Sequence, residues 1–275
     1  MDAWVLIALR LGLYLGLGLL VGMPLYRLLV THDGRAFARG LIAALAVAGI
    51  MLSGLWLLAC ATAMGGSPDW PTISLLLFET AMGWALMLRL TALALILLLP
   101  PRPTLLALPA AVAMATLAWT GHAAATEGIW GKLHLASDVL HMLAAAIWLG
   151  ALVRFVSNVA RRETDIVAEL SRFAWPGTAI VGVLIVTGVY NMTMIVGFEL
   201  FQTPILSPYG QLLAAKILLF AAMLGLAAAN RWLFTPAVRS GAPITGIRIS
   251  LIVETCFWIS IIGIVAIMGT LDPLG

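Results

Sequence analysis

Eight apolar runs, each long enough to cross a bilayer, decide what this 275-residue chain can fold into. They cover roughly residues 4–29, 37–63, 73–99, 104–122, 130–156, 170–196, 210–234 and 249–270. Pro100-Pro101-Arg102-Pro103, Gly65-Gly66-Ser67-Pro68-Asp69 and Thr203-Pro204 break them where a helix must stop. With 63% hydrophobic and 10% charged residues, a soluble domain has no interior large enough for this much apolar surface. A lipid bilayer removes that requirement. The expected fold is an all-α polytopic membrane protein, a bundle of eight transmembrane helices forming a single domain over 1–275. The first run lacks a basic flank and a small-residue cleavage site before Met23-Pro24, so it reads as a retained helix, not a signal peptide.

The net charge of +3 would suggest nucleic acid in a soluble protein, but here the charges are sparse and concentrated in loops. Arg27, Arg35, Arg39, Arg102, Arg154, Arg161, Arg162, Arg172, Arg231, Arg239 and Arg248 fall in or beside alternate loops. The other side carries Lys132 alone among loop-proximal cations, with Asp2, Asp69, Glu127, Glu199 and Asp272. This positive-inside bias places both termini away from the cytoplasm, which in a bacterial inner membrane is the periplasm. No nucleic-acid partner is implied.

The fifth run holds His134, Asp138 and His141 at i, i+4 and i+7. At about 100° per residue, the three side chains lie within roughly 60° on one helix face. Two imidazoles and a carboxylate inside a membrane require partners, water or a cation, so metal-ion handling is the leading reading. A rise of 1.5 Å per residue puts His134 roughly 6 Å below the outer surface, Asp138 about 12 Å and His141 about 16 Å. The histidines are about 10 Å apart along a straight helix, a spacing for successive stations and not for one closed site. The structural alternative is hydrogen bonding that fixes helix packing.

Further candidate ligands gather at the outer level: His122 in Thr120-Gly121-His122, Cys60 and Met64, Met192 and Met194, and Met268. Sulfur donors suit Cu(I), and imidazole accepts copper or zinc. Methionines and a lone cysteine also serve as core filler. Cys60 and Cys256 lie near opposite faces, too far apart for a disulfide. Matching the remaining intramembrane charges by depth pairs Asp138 with Lys216, Arg10 with Glu79, and Asn230-Arg231 with Glu254. Arg89 is left without a partner. Trp4, Trp70, Trp130, Trp175 and Trp232 fit interfacial belts.

These residues carry a family resemblance. Gly121-His122-Ala123, then His134-Leu135-Ala136-Ser137-Asp138-Val139-Leu140-His141 and Ala146-Ile147-Trp148-Leu149-Gly150, resemble the copper-resistance protein D (CopD) family. So do Leu213-Ala214-Ala215-Lys216, Ala229-Asn230-Arg231, Ile249 through Glu254, and Leu271-Asp272-Pro273. The motifs cover about 120–275; earlier helices match in hydropathy and helix count only. The resemblance implies a multi-pass inner-membrane protein of copper homeostasis and resistance that moves copper ions from periplasm toward cytoplasm. It also implies a separate periplasmic CopC-type copper-binding protein as partner. His122, Asp138, His141, Trp148, Lys216, Asn230, Arg231 and Glu254 match the family pattern. From the residues themselves, the candidate metal set is His122, His134, Asp138, His141, Met192 and Met194.

Two other functions fit parts of this pattern. One is a b-type haem electron carrier, since membrane histidines also ligate haem. The other is a non-transporting copper-binding scaffold for a periplasmic chaperone. An enzyme is not expected, because no nucleophile–base set is present. Topology is directly testable. In a variant with Cys60→Ser and Cys256→Ser, Arg161→Cys should react with a membrane-impermeant thiol reagent only from the cytoplasmic side. Labelling from the periplasm would reverse the orientation.

Overall fold

The computed structural model describes residues 3–63, 67–161, 166–197 and 207–272. Asp2, Met64, Gly65, Gly66, Arg162, Glu199, Thr203, Pro204 and Pro273 lie outside them. The described chain is helical and contains no strand. Its elements are α1 (Ala3–Tyr26), α2 (Arg39–Ala63), α3 (Trp70–Glu79), α4 (Ala81–Leu98), α5 (Pro103–Ala115), α6 (Gly128–Arg161), α7 (Ile166–Val196), α8 (Pro208–Ala229), α9 (Thr235–Arg239) and α10 (Thr245–Met268). Eight segments are long and apolar enough to span a membrane: Ala3–Thr31, Arg39–Ala63, Ala81–Leu98, Pro103–Thr120, Gly128–Ala160, Ile166–Val196, Pro208–Arg239 and Thr245–Met268.

The expected third run, 73–99, is two helices. Asp69 caps α3 by accepting from the Thr72 N–H, and that bond with one from the Ser67 hydroxyl holds its carboxyl below the usual range. Thr80 then turns extended, with φ −121° and ψ 148°. Its hydroxyl accepts from the Gly83 N–H and donates to the Leu76 carbonyl, ending one helix and starting the next. Gly83 permits the bend, because a Cβ there would lie 2.2 Å from the Leu76 carbonyl oxygen. The fourth run also changes form: after α5 the chain tightens into 3₁₀ turns at Thr116–Thr120 and His122–Ala125.

The bundle closes around contact between α1 and α6. Gly22 of α1 faces Ala146 and Gly150 of α6, and Gly18, one turn earlier, lies against the side chains of Leu149 and Trp258. A Cβ on Gly22 would lie 1.9 Å from the Ala146 oxygen, and one on Gly150 would lie 2.1 Å from the Gly22 oxygen. Lipid gives helices no hydrophobic reason to associate, so such backbone approach supplies the packing. One core cluster joins α1, α2, α4 and α5 through Leu17, Ala46, Leu93 and Ala110. Another joins α6, α7 and α10 through Trp148, Leu152, Phe173 and Leu251. Helix α8 is peripheral: it packs chiefly on α10, and little of its apolar surface is buried. Trp4, Trp70, Trp130, Trp175 and Trp232 are exposed, as lipid- or interface-facing residues must be.

Gly22→Ala should lower stability by about 1–3 kcal/mol through overpacking against a backbone that cannot give way. Gly16→Ala meets open space and should leave stability unchanged or raise it by up to about 1 kcal/mol. Thermal unfolding in detergent compares the two; equal effects would contradict a tight α1–α6 contact.

Candidate functional site

The polar stripe of α6 faces a second polar stripe on α7, and hydrogen bonds join the two, although Asn191 Oδ1 and the Tyr190 hydroxyl are buried without a partner among the described residues. His134 is buried, with Nδ1 2.9 Å from the Thr126 hydroxyl and its ring edge-on to Tyr190 at a centroid distance of 6.4 Å. Sequence depth placed His134 near the headgroups, but its burial removes it from water. The cause is local: the turn at His122–Ala125 lies against both α6 and α7 and covers the helix mouth. The Ser137 hydroxyl donates to the Thr187 carbonyl at 3.4 Å, and the Asn191 amide donates to Asp138 Oδ1 at 3.4 Å.

His141 has the most informative geometry. Its Nδ1 lies 2.9 Å from Thr187 Oγ1, while that hydroxyl donates its single proton to the Val183 carbonyl at 2.6 Å. With that proton committed, the hydroxyl can only accept from the imidazole. The Leu184 carbonyl is a further acceptor close to the ring. This arrangement favours the Nδ1–H tautomer, which leaves Nε2 as the nitrogen that can take a ligand. Gly188 makes room: its missing Cβ would lie 3.4 Å from His141 Cε1.

Lys216 of α8 acts electrostatically on both Asp138 and His141. Its ammonium is not within 4.0 Å of the carboxylate, so the expected Asp138–Lys216 pair is a through-space coupling and not a contact ion pair. The Arg10–Glu79 pairing is not formed. Glu79 is exposed, and Arg10 donates to the Gly269 and Thr120 carbonyls. At the inner end, Glu254 is held by Asn230 Nδ2 at 2.5 Å and Ser250 Oγ at 3.3 Å, not by Arg231. Arg231 is exposed and donates to the Ala174 carbonyl at 3.2 Å and Thr178 Oγ1 at 2.9 Å. Equal depth did not mean equal azimuth, since each residue along a helix turns the side chain by about 100°.

Of the other candidates, Met192 and Met194 are half-buried, and Met268 is buried against Val196 and Tyr209. Cys60 is half-buried and Cys256 exposed, both as free thiols. The side chain of His122 and all of Met64 lie outside what the structure describes. Among the described residues, no three His, Cys, Asp or Glu side chains converge on one point. The groups on α6 are thus spread along the helix.

The same face of α6 continues inward as Trp148, Leu152 and Phe155. These line a cavity of about 260 Å³ between α6, α7, α8 and α10, with Phe173 on its wall and Asn230 and Glu254 among its few polar groups. Trp148 and Phe155 each meet the Phe173 ring edge-on, at 6.0 and 5.4 Å. Beside it, Arg154 donates to Glu169 Oε1 at 3.1 and 2.8 Å, and Asn158 donates to Oε2, joining the inner ends of α6 and α7.

Sequence reasoning missed Thr126, Thr187, Asn191 and the Asn158–Glu169 bond. A signal was available for Thr187 and Asn191: two hydrogen-bonding residues at i, i+4 within an apolar run share a face, as the α6 residues do.

Comparison with known proteins gives consistent matches. The family model "Copper resistance protein D-like, N-terminal domain" matches residues 1–132, and "Copper resistance protein D" matches residues 167–268. The chain is similar to Copper resistance protein D of Pseudomonas syringae pv. tomato, at 33% identity over 97% of this chain and 96% of that protein. It is also similar to Inner membrane protein YebZ of Escherichia coli (strain K12), at 33% identity over 67% of this chain and 70% of that protein. No solved structure matches the chain. The likeness thus reaches the N-terminal helices, where motif reading had found agreement in hydropathy and helix count alone.

Coupling between Asp138 and Lys216 is measurable without reference to metal. In a double-mutant cycle with Asp138→Asn and Lys216→Met, the interaction energy should be about 0.5–3 kcal/mol. Strict additivity in detergent unfolding experiments would show that the two charges do not sense each other.

Proposed function

This chain belongs to the copper resistance protein D family, and from that premise we propose that it carries copper ions across the bacterial inner membrane, from periplasm toward cytoplasm. The observation that carries the reading is the geometry at His141: a half-buried imidazole within the span whose Nδ1 lies 2.9 Å from the Thr187 hydroxyl, an arrangement that favours the Nδ1–H form and leaves Nε2 to bind an ion. Copper here is cargo. A pore needs ligands that hold the ion briefly and at separate places, which a spread stripe provides and a closed cluster does not.

Entry in this reading is at the periplasmic mouth, where His122, Met192 and Met194 collect copper, delivered by a separate periplasmic CopC-type protein. His134 and the Asp138 carboxylate draw the cation inward, and Lys216 opposes it there. Lys216 rides on the loosely packed α8, so movement of that helix would relieve the repulsion and open the path. His141 passes the ion to the aromatic cavity, whose walls offer ring faces to a cation, and Glu254 receives it near the cytoplasmic half. Both termini face the periplasm, and no bond-making step is assigned to the protein.

Liposomes containing only this protein test the proposal through radioactive copper uptake. His141→Ala should reduce flux at least tenfold. Thr187→Val removes the acceptor that sets the tautomer and should weaken copper binding by about 10–100-fold, with Thr187→Ser close to wild type. Uptake unchanged in His141→Ala would remove the stripe from the mechanism.

A further inference from the structure

Two arginines, Arg10 of α1 and Arg89 of α4, line one small cavity inside the bundle. Arg89 of α4 is 1% exposed. Its Nε donates to Thr116 Oγ1 at 2.8 Å, but Nη1 and Nη2 have no hydrogen-bond partner among protein groups. They border a small cavity of about 10 Å³, also lined by Arg10, Tyr14 and Thr120 between walls that include Trp56 and Leu117. Arg10 is already fixed at the cavity edge by the Gly269 and Thr120 carbonyls, and the Tyr14 hydroxyl is hydrogen-bonded to it.

No carboxylate among the described residues lies within 4.0 Å of either guanidinium. A buried guanidinium with unmet donors is costly in a low dielectric. The space fits one water-sized body. Water brings no charge and accepts at most two hydrogen bonds, so it leaves the electrostatic cost in place. A halide accepts from several N–H groups and supplies the missing negative charge; it is larger than water, so the cavity walls must move apart to admit it. Phosphate or sulfate is too large. We propose that a single small monovalent anion, chloride being the common one, binds between Arg10 and Arg89 and ties α1, α4 and the Thr116–Thr120 turn to the end of α10. The Thr116–Thr120 turn on its wall packs against the His122–Ala125 turn beside His134, so the anion would stiffen the outer mouth.

The test uses the full-length protein in detergent, exchanged into sodium gluconate and titrated with chloride or bromide at constant ionic strength. Both halides should raise the unfolding midpoint saturably, by at least about 3 °C, whereas sulfate should not. Arg89→Gln should abolish the halide-dependent shift, and Tyr14→Phe should retain it. Should Arg89→Gln fail to fold, wild-type crystals grown in bromide decide: an anomalous peak between the two guanidinium groups supports the site. Equal midpoints in gluconate and chloride, a shift that persists in folded Arg89→Gln, or no bromide peak there would each overturn it in favour of water alone.

Discussion

The close approach of Gly22 to Ala146 and Gly150 is the contact on which the remaining arrangement depends. In lipid, two apolar helices gain little by meeting unless their backbones can come close enough for dispersion to count. Here the carbonyls themselves occupy the space that a side chain would need. The contact also sets the rotation of α6. Ala146 and Gly150 lie about 145° around the helix from the His134–His141 stripe, so seating one face on α1 turns the other toward α7.

That rotation makes the stripe tolerable in a membrane. Each polar group reaches a hydrogen-bond partner from another element: Thr126 for His134, Asn191 for Asp138, Thr187 for Ser137 and His141. Satisfying a group and leaving it reactive are different matters, and His141 achieves both. Thr187 Oγ1 lies within hydrogen-bond reach of Nδ1, and its contact with the Val183 carbonyl favours the hydroxyl as acceptor there. Were Thr187 free to donate, the tautomer could reverse and the lone pair would point into a hydrogen bond. Lys216 and Asp138 form no ion pair within 4.0 Å.

Much of this was legible in the chain. Apolar runs and their breakers located eight spans, and i, i+4, i+7 spacing located the α6 stripe. Thr80 was illegible because a threonine inside an apolar run scarcely alters hydropathy, yet its hydroxyl can cap a helix once Gly83 lets the backbone close in. Of the pairings between helices, Asn230 with Glu254 is formed, while Arg10–Glu79 and Arg231–Glu254 are not, for a different reason. Depth follows from counting residues at 1.5 Å each, but azimuth depends on how whole helices rotate against one another. Arg10 and Glu79 shared a depth and point to different neighbours; Asn230, one residue before Arg231, faces Glu254. The inner aromatic cavity was equally hidden, since it is built from α6, α7, α8 and α10 and exists only when they pack.

Placing the ion itself tests the account most directly. Copper K-edge anomalous diffraction, or X-ray absorption on the detergent-purified protein loaded with one equivalent of copper, reads its ligands. The account predicts a copper site with His141 Nε2 as a ligand, and loss or outward displacement of that site in His141→Ala. Copper bound only by sulfur at the outer mouth, with a spectrum identical in wild type and His141→Ala, would contradict it.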